Sequence, residues 1–72
     1  MGAMRILRRR RAARPRWVAP EPGMTTGTVD GQVIGHVVAA RDGFIAFDAT
    51  QSPVGRFSTL PAAQRAAEAA AA

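Results

Sequence analysis

The chain has 72 residues, enough for one small folded domain, and such a short chain buries a modest share of its surface. It contains no cysteine and one histidine, so we expect neither a disulfide scaffold, nor a metal site, nor any other cofactor. No stretch is typical of a signal peptide or a membrane span, and a cytoplasmic protein is therefore expected.

The net charge of +5 is unevenly distributed along the chain. Residues 1–20 contain seven arginines and no acidic residue, whereas residues 21–72 contain three arginines and five acidic residues. The two parts therefore carry +7 and −2. The first residues, MGAM, are typical of a cloning remnant, and we expect residues 1–3 not to be native.

The first predicted element is a disordered basic arm, because clustered like charges resist collapse. Its most basic stretch reads RRRRAARPRW, and arginine is used without any lysine. Guanidinium groups form paired hydrogen bonds with phosphate and stack on bases, so nucleic acid, either DNA or RNA, is the expected partner. The predicted nucleic-acid-binding residues are Arg5, Arg8, Arg9, Arg10, Arg11, Arg14, Arg16 and Trp17.

Other interpretations of the arm remain open. Its arginines could instead meet an anionic membrane surface or an acidic protein, or form a solvated tail without a partner. Trp17 could stack on an unpaired base, lie at a membrane interface, or fold back onto the core of the small domain. The segment APEPG, at 19–23, predicts an extended linker. Residues 1–24 are thus assigned to arm and linker, and residues 25–72 to a sheet-plus-helix domain.

The domain begins with strands separated by turns. Asp30-Gly31, between β-branched residues, predicts a two-residue hairpin turn, followed by a strand over residues 32–40. Residues 41–43, RDG, predict a second turn. Two further strands are expected at 44–48 and 54–58, which gives a small antiparallel sheet of three or four strands.

The last element is an alanine-rich helix, expected from about Leu60 to Ala71. Ser58 or Thr59 is suited to cap its first turn, and Pro61 is tolerated there. The predicted contact face of the helix consists of Leu60, Ala63, Ala66, Ala67 and Ala70.

Strand alternation predicts which residues share a face of the sheet. We assign Ile45, Phe47 and Phe57 to the face under the helix and Phe44 and Ala46 to the other face. On the preceding strand, either Ile34 and Val38 or Val33 and Val37 join the helix-facing core. Because both faces of that strand are apolar, we expect the second face of the sheet to be covered by the Trp17 region or by another subunit.

The segment GFIAFDATQSPVGRFSTLPAAQRAAEAA resembles the end of two kinds of DNA-binding domain. These are the plant ethylene-response-factor domain and the amino-terminal arm-site domain of tyrosine recombinases, both built from a three-stranded sheet and one helix. The resemblance covers about residues 43–70 and rests on Gly55, Phe57, Thr59, Ala63, Ala66 and Ala67. It implies an α+β fold and binding to DNA. Small bacterial and phage sheet-helix proteins are also similar.

No catalytic constellation is present in the sequence, and we expect no enzyme. His36 stands in a predicted strand without a matching nucleophile, and the glycines have turn spacing rather than phosphate-loop spacing. The main hypothesis is an accessory nucleic-acid-binding protein whose sheet-helix module positions or dimerises the arm. The alternative is a protein-interaction adaptor, possibly encoded by a phage, that uses the apolar sheet face or an edge strand.

Overall fold

The computed structural model describes residues 14–72, which form an antiparallel sheet followed by one helix. The elements are β1 (Arg16–Glu21), β2 (Met24–Val29), β3 (Gln32–Ala40), β4 (Gly43–Asp48), β5 (Pro53–Phe57) and α1 (Leu60–Ala71). The strands lie in chain order across the sheet, so each strand pairs with its sequence neighbours. The expected α+β architecture with one C-terminal helix is confirmed. The expected strand count of three or four was wrong, because the sheet has five strands.

The additional strand is β1, whose prolines are typical of a linker when the sequence is considered alone. β1 lies at the edge of the sheet, and its register against β2 shifts between Val18 and Glu21, around Pro20. Edges and bulges are the places where a sheet tolerates proline, because no ladder hydrogen bond is lost there. Strand pairing therefore includes residues 16–21, which the sequence analysis assigned to the arm and the linker.

The short turns follow from local residue chemistry. Asp30 and Gly31 both have positive φ, 52° and 81°. A two-residue hairpin turn needs positive φ at both residues to match the right-handed twist of the strands that it joins. This confirms the predicted hairpin between β2 and β3. β3 and β4 are joined by Arg41 and Asp42, with Gly43 already paired to Ala40.

The helix forms where its sequence predicts. Thr59 is the N-cap residue, and its hydroxyl accepts a hydrogen bond of 3.3 Å from the backbone N–H of Ala62. Pro61 lies in the first turn, where its missing N–H is not needed. Of the predicted contact face, Ala63 and Ala67 are fully buried, whereas Ala70 is exposed.

The side of the sheet that faces α1 is built from small residues. Val37 and Ala46 are buried beneath Ala63 and Ala67. A methyl group on Gly35 would come within 3.1 Å of the Ala67 Cβ, so the helix lies almost directly on this backbone. Phe44, Phe57 and Leu60 pack around this core and fill its margins.

The predicted assignment of Ile45 and Phe47 to the helix-facing core was wrong. They lie on the opposite side of β4 from Ala46, which is buried under the helix. Ala63 and Ala67 offer only methyl groups, so the helix must approach closely to bury them, and bulky side chains directly below them would hold it away. The helix therefore covers the side bearing Ala46, and Phe57 was correctly placed.

Candidate binding surfaces

The predicted arginines divide between the described part of the chain and the part before it. Arg5 and residues 8–11 lie outside the described residues. Arg14 precedes β1, Arg16 is its first residue, and both side chains are exposed. These two arginines therefore bring positive charge up to the edge of the sheet.

Trp17 packs against the part of the fold from β2 to α1, residues 24–72, which we call the body. The ring lies over Gly27, so closely that a methyl group on that glycine would be 2.7–2.8 Å from three ring atoms. The indole Nε1 donates a hydrogen bond of 2.8 Å to the Oε2 atom of Glu68 on α1. The interpretation that Trp17 folds back onto the core is therefore the one the structure shows.

The described residues carry no net charge. Residues 14–72 contain five arginines and five acidic residues, and residues 1–13 contain five arginines and no acid. The whole net charge of +5 therefore originates in the first thirteen residues.

The side of the sheet away from α1 carries large apolar residues, and we call it the open face. Paired residues on neighbouring strands share a face, which allows the open face to be traced from the register. Its members by pairing are Arg16, Val18, Glu21, Met24, Thr26, Thr28, Val33, His36, Val38, Ile45, Phe47, Pro53 and Arg56. Ile34 joins them by alternation with His36 and Val38. Most of these side chains are half-buried by their neighbours, and Val18 is 55% exposed.

Two rows of residues cross the open face from edge to edge. The first row reads Glu21, Met24, Val38, Ile45 and Arg56, from β1 to β5. The second row reads Val18, Thr26, His36, Phe47 and Pro53. The first row is apolar in its centre and ends in opposite charges on opposite edges. In the second row the Thr26 hydroxyl lies 3.1 Å from the Nδ1 atom of His36, so this imidazole has a local partner.

The chain was compared with protein-family models, curated proteins and solved structures. None of the three comparisons finds a match.

The loop between β4 and β5 is organised by one carboxylate. Asp48 Oδ1 accepts hydrogen bonds from the Thr50 hydroxyl at 2.7 Å and from the backbone N–H groups of Thr50 and Ser52, both at 2.9 Å. The hydrogen bonds from the Thr50 hydroxyl and the Ser52 amide lower the pKa of Asp48. These contacts are all within the loop, and they give Asp48 a structural role.

Within residues 14–72, no three His, Asp or Glu side chains are grouped so that they could hold a metal ion. No helix in the same residues is both long and apolar enough to cross a membrane. The described residues present two surface features: an exposed arginine pair at the start of β1 and the apolar open face.

A second apolar face of the sheet was expected from the sequence, but Ile45 and Phe47 were assigned to the wrong face, and the partner of Trp17 was missed. Side-chain size could have identified the open face, because an alanine-rich helix packs on the side of the sheet with the smaller residues, here Gly35 and Ala46. Glu68 gave no comparable signal, because it stands 51 residues from Trp17.

Proposed function

We propose that this chain is a small, non-catalytic nucleic-acid-binding protein in which an N-terminal basic arm contacts phosphates. The basic arm comprises Arg5, residues 8–11, Arg14 and Arg16. The observation that carries the proposal is the division of charge. Residues 14–72 have no net charge even with Arg14 and Arg16 included, whereas residues 1–13 hold five arginines and no acidic residue.

The residue type supports phosphate as the ligand. Each guanidinium presents a planar fork of donors that matches two phosphate oxygens, and it remains charged at any physiological pH. Arg14 and Arg16 continue the arm up to the sheet, and Trp17 fastens β1 to α1 through Glu68. The body thus provides a rigid anchor from which the arm starts.

The sheet itself is a poor candidate for reading DNA. The resemblance to the ethylene-response-factor and recombinase arm-site domains covers about residues 43–70, which here form β4, β5 and most of α1. Those domains use arginines and tryptophans on the open side of the sheet. Here the centre of that side carries Val38, Ile45 and Phe47, and the arginines lie at its edges. Phosphate contact is therefore assigned to the arm.

The test compares two full-length double variants with the same net charge of +3. In the arm variant, Arg9 and Arg10 are changed to Gln. In the control, Arg41→Gln and Arg65→Gln remove two exposed arginines from the β3–β4 turn and from α1. Binding to duplex DNA, single-stranded RNA and anionic vesicles is measured by fluorescence anisotropy or flotation over a salt series.

For the unaltered chain we expect log K to fall with log salt at a slope between about −4.5 and about −6.3 on duplex DNA, from about five to seven ion pairs. The arm variant should lower the magnitude of this slope by about 2, and the control should leave it nearly unchanged. Equal losses of affinity in both variants would mean that binding depends only on the net charge of the chain, and the proposal would fail. Stronger binding to vesicles than to either nucleic acid would assign the arm to a membrane surface.

A second candidate function is supported by the open face. An apolar, partly exposed sheet side is suited to binding a protein partner, which makes an adaptor role the alternative. Such binding should survive about 0.5 M salt, because apolar contacts are not screened. It should be lost in Phe47→Ser, which changes the open face.

A further inference from the structure

We propose that the open face is the interface between two copies of this chain, packed sheet on sheet about a two-fold axis that runs along β3. This inference goes beyond the proposed function and does not depend on nucleic acid. It follows from the composition of the open face and from the positions of its charges.

The first argument is the apolar character of a face without a covering element. An antiparallel sheet with one side in water normally alternates apolar and polar residues, so that the solvated side is polar. Here the solvated side carries Ile34, Val38, Ile45 and Phe47 on adjacent strands β3 and β4, with Met24 beside them on β2. α1 is packed against the other side and leaves these residues uncovered by any described element.

The second argument is charge complementarity between two identical faces. A two-fold axis along the central strand β3 places β1 of one copy over β5 of the other. Each residue of the first row then meets the residue of the same row that lies equally far from β3 on the opposite side. Glu21 on β1 then lies over Arg56 of the other copy, and this contact occurs twice. In the centre, Val38 meets Val38 of the other copy. Met24 meets Ile45, so the interior of the first row is apolar, whereas in the second row His36 meets His36 of the other copy and Thr26 meets Phe47.

A second two-fold axis in the interface plane that keeps the strands of the two sheets aligned runs perpendicular to the strands. It would place the first row over the second row of the partner copy. Glu21 would then lie over Val18, and Arg56 over Pro53. Both charges would be desolvated against apolar groups without an opposite charge, which is unfavourable. The arrangement along β3 is therefore the one that the residues fit.

The size of the face sets the expected strength. Five strands at a spacing of about 4.8 Å, each contributing roughly five residues of about 3.3 Å, give a projected area of about 400 Å² per copy. With protruding side chains included, the pair would bury a total of about 1,000 Å², at the lower limit for a specific interface. We therefore expect a dissociation constant in the micromolar range, about 1–100 μM.

The experiment is sedimentation equilibrium of the full-length chain at low salt, free of nucleic acid. Glu21→Arg and Arg56→Glu are each exposed changes that should leave the fold intact. Each should weaken the dimer about tenfold, because a symmetric interface counts the substitution twice. The double variant exchanges the two charges and should restore the affinity to within about threefold. Arg41→Glu makes the same charge change in the β3–β4 turn, outside the open face, and should have no effect.

Phe47→Glu is a second variant and should abolish the dimer, with circular dichroism and Trp17 fluorescence showing that the monomer is folded. A chain that stays monomeric at about 1 mM overturns the proposal, and so does a dimer that Phe47→Glu leaves intact. A dimer whose affinity the double charge exchange does not restore overturns the axis along β3. If Phe47→Glu fails to fold, the three charge variants still decide the question.

Discussion

Replacing Gly27 by alanine should release Trp17, and with it β1, from the body. The added methyl group would stand 2.7–2.8 Å from three atoms of the indole ring, closer than side-chain carbons pack. The ring has to move, because the methyl group is attached to the paired backbone of β2 and cannot. Moving the ring also breaks the hydrogen bond from Nε1 to Glu68.

The magnitude follows from the surface that the ring covers. Re-exposing about 100–150 Å² of a half-buried tryptophan at about 25 cal/mol per Å² gives roughly 3 kcal/mol. Partial relaxation lowers this, and overpacking typically costs about 1–3 kcal/mol. We expect the free energy of unfolding to fall by about 2 kcal/mol, a large share for a domain of this size.

The assay uses the intrinsic fluorescence of the chain, which contains one tryptophan and no tyrosine. In Gly27→Ala the emission of Trp17 should shift to the red, while circular dichroism retains the signal of α1. Thr28→Ala is the matched control, since it alters the next residue of β2 on the other face. The double variant Gly27→Ala with Trp17→Val should lose less stability than the sum of the single changes, because the smaller side chain leaves room. Unchanged emission and stability in Gly27→Ala would refute the packing of Trp17 against β2.

Further predictions concern single side chains of the body, and urea denaturation measures the first three. Thr25→Val should raise the free energy of unfolding by about 1 kcal/mol, because the buried Thr25 hydroxyl has no hydrogen-bond partner within residues 14–72. Thr59→Ala should lower it by about 1 kcal/mol through loss of the helix cap, with Thr59→Ser as control. Gly35→Ala should lower it by about 2–3 kcal/mol, since its methyl group would lie 2.6 Å from the Phe47 carbonyl oxygen. Asp48 has a lowered pKa in the folded state, so it stabilises the fold above its unfolded value of 3.8, and this contribution is lost as the pH falls through the folded pKa. Thermal unfolding of Asp48→Ala should therefore depend less on pH between about pH 5 and pH 2 than that of the unaltered chain.

The parts of the fold that the sequence predicts are those decided by local chemistry. The turn at Asp30-Gly31 needs two residues that accept positive φ, and the helix start needs a hydroxyl before Leu60. Residues that are adjacent in the chain meet both requirements, so the turn and the helix start do not depend on packing against other strands or helices. β1 was missed because Pro20 and Pro22 indicate a linker unless the position of the strand at the sheet edge is known.

The faces of the sheet could be predicted only in part. Alternation correctly groups Ile45 with Phe47 and Phe44 with Ala46, but it does not indicate which group the helix covers. That choice depends on how closely an alanine face approaches the strands, which is a property of the packed structure. The contact between Trp17 and Glu68 is likewise tertiary. The arginine run is visible at the sequence level because it is a matter of composition alone.

The position of β1 at the sheet edge determines where a pair of molecules would present their leading segments. In a dimer with its axis along β3, the two β1 strands run in the same direction on opposite edges of opposite sheets. With four strand spacings of about 4.8 Å and sheets about 10 Å apart, their first residues stand about 22 Å from each other, at one end of the assembly. This distance matches about six steps of about 3.4 Å along one nucleic-acid strand. When one copy binds a stretch of phosphates, the second copy is held at high local concentration near the same stretch. Two weak contacts with nucleic acid would then combine into tight binding.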